Sequence, residues 1–199
     1  MNYLAHLALS HFNKEVMLGN FIGDCVKGCD YQLYSPAVRQ GLLLHRQIDH
    51  FTDTHPIALQ TCSLFRPAFR HYSGIICDMV YDHLLAANWH DYYPQISLSA
   101  FVSAAQRMLL LNYFRLPGKL KRILPFLIKS RRLEDYATTD GLLRALRIMS
   151  SNTSLPDHHD FLLATLTDNY PQILSQFQSF YPDLQSMTDE YLHNVSPTL

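Results

Sequence analysis

Long apolar runs are missing from this chain: polar or charged residues interrupt each one well before the roughly 18 consecutive apolar residues that a membrane span requires. The opening Met-Asn-Tyr-Leu-Ala-His lacks the basic start and apolar core of a secretory signal. Both absences predict a soluble, cytoplasmic protein. An excess of one charge is also missing, since 16 Lys plus Arg stand against 17 Asp plus Glu, a net charge of −1. The molecule as a whole therefore offers no electrostatic case for nucleic acid or an anionic membrane, and any charge argument has to be local. Cysteines are few. Cys25, Cys29, Cys62 and Cys77 are expected to be reduced thiols, and the Cys25/Cys29 pair has no second pair with which to build a zinc site. Neither a Gly-x-Ser-x-Gly elbow nor a Gly-x-x-x-x-Gly-Lys phosphate loop occurs, and no local pattern marks Cys25, Cys62 or Cys77 as an activated nucleophile. Repeats, low-complexity segments and long linkers are absent as well, so residues 1–199 are read as one domain.

What is present is apolar periodicity. The chain is 48% hydrophobic, enough for a sizeable core. Apolar residues recur at helical spacing at Leu4, Leu7 and Ala8, at Leu42, Leu43 and Ile48, and at Ile75, Met79, Leu84 and Leu85. Strand alternation is scarcely visible. Ser35-Pro36, His55-Pro56, Arg66-Pro67, Tyr93-Pro94, Leu116-Pro117-Gly118, Leu155-Pro156 and Tyr181-Pro182 punctuate this pattern. The prediction is an all-α, single-domain bundle of about seven to nine helices. One helix should end near Asp53 and the next begin at Pro56, with oxygens of Thr52-Asp53-Thr54 capping the second, and 152–157 should be a loop.

Ionisable residues lie within these apolar helices. His45, Asp49 and Asp53 follow at intervals of four and share one helical face. Asp78 and Asp82, followed by His83, repeat that spacing, while Asp24 sits in a Gly-flanked segment and His6 in an apolar first helix. Each has an ordinary explanation: His6 as a hydrogen-bonded core histidine, Asp53 as a cap, Asp24 paired with Lys27, Arg46 neutralising Asp49 or Asp82. Collectively they would bury more charge than ordinary pairs relieve, and either a bound ion or a dense salt-bridge network has to compensate. Mixed carboxylates and imidazoles suit Mn, Fe, Zn or Mg, and an ion of that kind both acidifies water and neutralises phosphate oxygens.

The segments Asn2-Tyr-Leu-Ala-His6-Leu, Leu18-Gly-Asn20-Phe-Ile-Gly-Asp24-Cys-Val-Lys27-Gly and Leu44-His45-Arg46-Gln-Ile-Asp49-His-Phe-Thr52-Asp53-Thr-His55-Pro56 resemble the acyl carrier protein phosphodiesterases. Gly74-Ile-Ile-Cys-Asp78-Met-Val-Tyr-Asp82-His83-Leu-Leu-Ala-Ala-Asn-Trp89 continues the resemblance, and Tyr136-Ala-Thr-Thr-Asp-Gly141-Leu-Leu-Arg-Ala-Leu resembles a later family segment. Tyr3 and Cys25 depart from the family's usual Phe without removing a candidate ligand. The resemblance implies a cytosolic helical enzyme, distantly similar to the HD phosphohydrolases, although Asp82-His83 reverses the HD order. Its expected reaction cleaves the phosphodiester between 4′-phosphopantetheine and a serine of holo acyl carrier protein, with Mn²⁺ as the expected ion and Mg²⁺ or Fe²⁺ as alternatives. Within that reading, Asp24, His45, Asp49, Asp78 and Asp82 surround the ion, His6 or His83 handles a proton, and Arg46 holds a phosphate oxygen.

Between Asp91 and Glu134 no acidic residue occurs, yet half of all Lys plus Arg lie there. Arg115, Lys119, Lys121, Arg122, Lys129, Arg131 and Arg132 are the expected dock for an acidic carrier protein, the ordinary alternative being a solvated helix face. Two competing functions fit part of the pattern. One is an HD-like metal-dependent phosphohydrolase acting on a small nucleotide; the other is a non-catalytic helical interaction module whose carboxylates and histidines form only salt bridges. The sequence carries no mark of oligomeric state.

Overall fold

The structure, a computed structural model, describes residues 1–129 and 131–194 apart from the Arg132 side chain. Among the described residues it has no strand. Nine helices of the described residues have six residues or more: α1 (Tyr3–Ala8), α2 (Lys14–Ile22), α3 (Pro36–Thr54), α4 (Pro56–Phe69), α5 (Ser73–Ala87), α7 (Leu98–Leu111), α8 (Gly118–Lys129), α10 (Thr139–Asn152) and α11 (His159–Asn194). Two single-turn helices, α6 (Trp89–Tyr92) and α9 (Arg132–Asp135), lie between them. The all-α architecture matches the helical periodicity. None of these helices is long and apolar enough to cross a membrane.

Local chemistry explains most boundaries. Asn13 accepts hydrogen bonds from the Glu15 and Val16 N–H groups at the start of α2, Ser97 from Ala100 at the start of α7, and Thr138 from Gly141 at the start of α10. Pro36 and Pro56 occupy first-turn positions, where the missing N–H costs nothing. The junction at Thr54–Pro56 falls where expected, but not through the expected cap. Thr52 and Thr54 donate back to Ile48 and His50 carbonyls of their own helix, and α4 has no side-chain cap. Nor do Pro67 and Pro182 terminate helices: Pro67 lies inside α4, and α11 runs through Pro171 and Pro182. Buried Ile173, Phe177, Phe180, Tyr181 and Leu184 hold α11 against the core, and that packing outweighs the lost hydrogen bonds.

One apolar cluster includes residues from Met1 to Leu184. Two helix contacts in it position the site. α2 and α3 cross with Gly19 against Gly41, where a Cβ on Gly19 would lie 2.1 Å from the Val38 carbonyl oxygen and one on Gly41 2.1 Å from that of Val16. Only hydrogen side chains permit this approach. α1 packs on α2, and α2 and α3 both pack on the turn that follows α2, so three helices and that turn meet around His6 and His45.

Candidate metal centre

His6 is buried in the last turn of α1, and His45 projects from the middle of α3. Their rings stack 4.1 Å apart at 24°. One residue of α2 orients both. The fully buried Asn20 amide donates to the His6 carbonyl (2.7 Å) and the Ser10 hydroxyl (3.0 Å), which leaves its Oδ1 to accept from His6 Nδ1 at 2.7 Å. The Asn20 backbone carbonyl accepts from His45 Nδ1 at 2.9 Å. Both Nδ1 atoms therefore carry hydrogen, and both neutral rings present a lone pair at Nε2.

Those lone pairs meet oxygens. His6 Nε2 lies 3.2 Å from Asp49 Oδ1 and 3.1 Å from the Met1 carbonyl, while His45 Nε2 lies 3.1 Å from Asp49 Oδ2 and 3.6 Å from Asp24 Oδ1. A lone pair facing a carboxylate is repulsive unless a proton or a metal ion stands between them. Ligand atoms of His6, His45 and Asp49 all fall within 4.8 Å of one another. Imidazoles tied at Nδ1 by an amide or carbonyl, with Nε2 free toward a carboxylate, are the usual surroundings of a metal-bound histidine. The donor set fits a divalent cation.

Electrostatics point the same way. Burial disfavours a charge on His45, yet Asp24 and Asp49 outweigh it and hold its pKa up to about 9. His6 is lowered, mainly by burial and further by the His45 charge. Burial would raise Asp49, but hydrogen bonds from His45 and His6 hold it well below the carboxylate range; the His45 hydrogen bond likewise lowers Asp24. Two carboxylates against one imidazolium leave the cluster net negative. Asp24, with 59% of its side chain exposed, stands on the solvent side. It lies in the 3-10 turn Gly23–Cys25, where a Cβ on Gly23 would sit 2.2 Å from the His45 ring.

A family model described as "Acyl carrier protein phosphodiesterase" matches residues 1–184. The chain belongs to that family. An acyl carrier protein phosphodiesterase of Serratia proteamaculans is 32% identical over 96% of this chain and 98% of its own length. Those of Photorhabdus laumondii and Enterobacter sp. are 31% and 32% identical, each over 92% of this chain and over 92% and 94% of their own lengths. No solved structure matches it.

In this member of the acyl carrier protein phosphodiesterase family, the structure brings together His6, Asp24, His45 and Asp49 and places other predicted residues elsewhere. Asp78 and Asp82, expected to converge on the ion, do not join the metal group among the described residues. Asp78 instead holds the Met1 ammonium at 2.8 Å. Asp82, fully buried, accepts from the backbone N–H groups of Leu4 (2.8 Å), Ala5 (3.2 Å) and Asn2 (3.3 Å), so it caps α1. Burial pushes its carboxyl up to about 7 against those donors. His83, expected as a proton carrier, stands outside the metal group: its Nδ1 donates to the Tyr136 carbonyl at 2.7 Å, its Nε2 is buried without a hydrogen-bond partner, and burial lowers its pKa. Arg46, expected on phosphate, donates to the Gly28 (2.8 Å) and Val26 (3.3 Å) carbonyls and lies over the Tyr31 ring. It braces the loop after Asp24. Asp53 shares the α3 face but stands outside the group, its pKa raised first by burial and then by Asp78.

Within the basic tract, Arg115 is bidentate to Glu15 of α2 (2.7 and 2.6 Å), and Arg131 pairs with Glu134. Lys121 lies 6.0 Å from the Tyr113 ring centroid. Lys119, Arg122 and Lys129 are exposed, and the Arg132 side chain lies outside the described residues. Asn20 and Gly23 lie in the family-like segment Leu18–Gly28, where spacing assigns them no role. A fully polar amide amid Met17, Leu18, Phe21 and Ile22 was the available signal, because a buried amide demands partners.

Proposed function

We propose that this protein hydrolyses the phosphodiester between 4′-phosphopantetheine and a serine of holo acyl carrier protein, with a divalent ion, Mn²⁺ first, held by His6, His45 and Asp49. Residues 1–199 act as one catalytic unit in this reading. Family membership supports the substrate. The observation that carries the metal is that Asn20 ties both imidazoles at Nδ1 and leaves both Nε2 atoms facing Asp49.

When bound, the ion would supply positive charge to phosphate oxygens and acidify water. Asp24 stands at the mouth of the cluster, where its outer oxygen can accept a proton from the water that attacks phosphorus and return it to the serine oxygen as the phosphorus–serine oxygen bond breaks. Lys27, exposed and three residues past Asp24, offsets the charge of an approaching phosphodiester. Asn20 prevents either ring from turning, which keeps the cluster ordered before substrate arrives.

The test is to strip the protein with chelator, reload it with Mn²⁺, Mg²⁺ or Fe²⁺, and incubate it with holo carrier protein while intact mass reports conversion to the apo form. Conversion restored by metal and lost in Asp49→Ala is the expected result. No conversion with any ion would remove the assignment.

A further inference from the structure

The basic tract exposes more than charge. Leu110 and Leu111 at the end of α7 are 53% and 79% exposed, and Phe114, in the turn that follows, is 90% exposed. The outward row of α8 then reads Lys119, Arg122, Phe126 and Lys129, at the three- and four-residue spacing that places side chains on one helical face. The row spans ~15 Å at 1.5 Å per residue. Lys121 of α8 lies 6.0 Å from the ring centroid of Tyr113, next to Phe114, so this turn adjoins α8; exposed large apolar side chains rimmed by cations mark a surface that a partner covers. With no carboxylate between Asp91 and Glu134, the surface complements an acidic partner and repels a basic one.

Its location ties it to the candidate metal centre. The Arg115 to Glu15 pair fastens the turn carrying Phe114 onto α2, the helix that supplies Asn20 and leads into Asp24. The surface is thereby fixed to the helix that carries part of the candidate cluster.

We propose that Leu110, Leu111, Phe114 and the outward row of α8 seat the protein part of the substrate: an acidic amphipathic helix whose apolar side covers Leu111 and Phe114 and whose carboxylates meet Lys119, Arg122 and Lys129. The inference rests on the proposed hydrolysis of a carrier-protein phosphodiester and adds an apolar anchor to its charge. Such an anchor gives affinity that salt does not remove, whereas the cations set encounter rate and orientation.

The experiment compares the parent with Phe114→Ala, Leu111→Ala and Lys119→Glu, all at exposed positions, by steady-state kinetics on holo carrier protein and by fluorescence anisotropy with labelled apo carrier protein. Phe114→Ala is expected to raise KM and Kd roughly tenfold at both low and high salt with kcat unchanged, as expected for an interface anchor. Lys119→Glu should give a loss that is large at low salt and shrinks as salt rises. A KM and Kd within twofold of the parent for both Phe114→Ala and Leu111→Ala would overturn the proposal. So would finding that these variants dissolve a dimer in sedimentation, or release the protein from anionic vesicles, with carrier-protein binding intact. Should the parent fail to convert holo carrier protein, the hydrolysis reading falls; anisotropy still tests the surface, and a parent that does not bind apo carrier protein overturns it too.

Discussion

Asn20 is the residue on which the cluster turns. Its amide can take only one orientation, because Nδ2 has two acceptors and Oδ1 one donor. Asn20→Ala should therefore free the His6 ring and weaken metal binding about 10- to 100-fold, the usual cost of removing an outer partner of a ligand. Calorimetric titration with Mn²⁺ reads it, and unchanged affinity would show that the rings are held otherwise. Asp82 offers the opposite contrast. Its carboxylate is spent on three backbone N–H groups at the start of α1. Asp82→Ala should lower unfolding free energy by about 1–3 kcal/mol, the cost of leaving buried donors unsatisfied, while the folded fraction keeps its metal. Urea unfolding alongside elemental analysis separates the two; metal loss at full stability would return Asp82 to the ligand set. Spacing made Asp78 and Asp82 look like a ligand pair, and it was correct that they are neighbours on a helix. It carried no information about Met1 and α1, which meet them from about eighty residues away.

At the scale of elements, the α2–α3 crossing determines whether the cluster exists. Gly41→Ala would push its Cβ against the Val16 carbonyl and separate the helix holding Asn20 from the one holding His45 and Asp49. Overpacking of this kind typically costs about 1–3 kcal/mol. Metal affinity should fall together with thermal stability, and a variant with parental melting temperature and metal content would show that the helices separate freely. The elements themselves were largely legible. Helical periodicity, Pro36 and Pro56 placed α3 and α4 because those signals act within a turn or two of sequence. Pro67 and Pro182 are unreliable as stops, since whether a helix survives a proline depends on the packing around it.

For the whole molecule, pH and metal should act on stability together. In the chelated protein, His45 is held up to about 9, above its ordinary value near 6.5. A raised pKa in the fold contributes stability that is complete below the unfolded value and lost as pH rises through the folded one. Melting temperature without metal should accordingly fall between about pH 7 and 10. With saturating Mn²⁺ in place of the His45 proton, that loss should disappear, because binding to the native state alone adds stability. Identical alkaline profiles with and without metal would contradict this.

The amino-acid sequence by itself determined that the chain is helical, that His45 and Asp49 share a face, and which family it resembles. Periodicity, i to i+4 spacing and ordered motifs are all local or linear properties. Only the tertiary structure decided which carboxylates face imidazoles and which face N–H groups, and why Gly19, Gly23 and Gly41 carry no side chain. A buried charge is defined by what surrounds it, and around His6, Asp78 and Asp82 those surroundings come from distant parts of the chain.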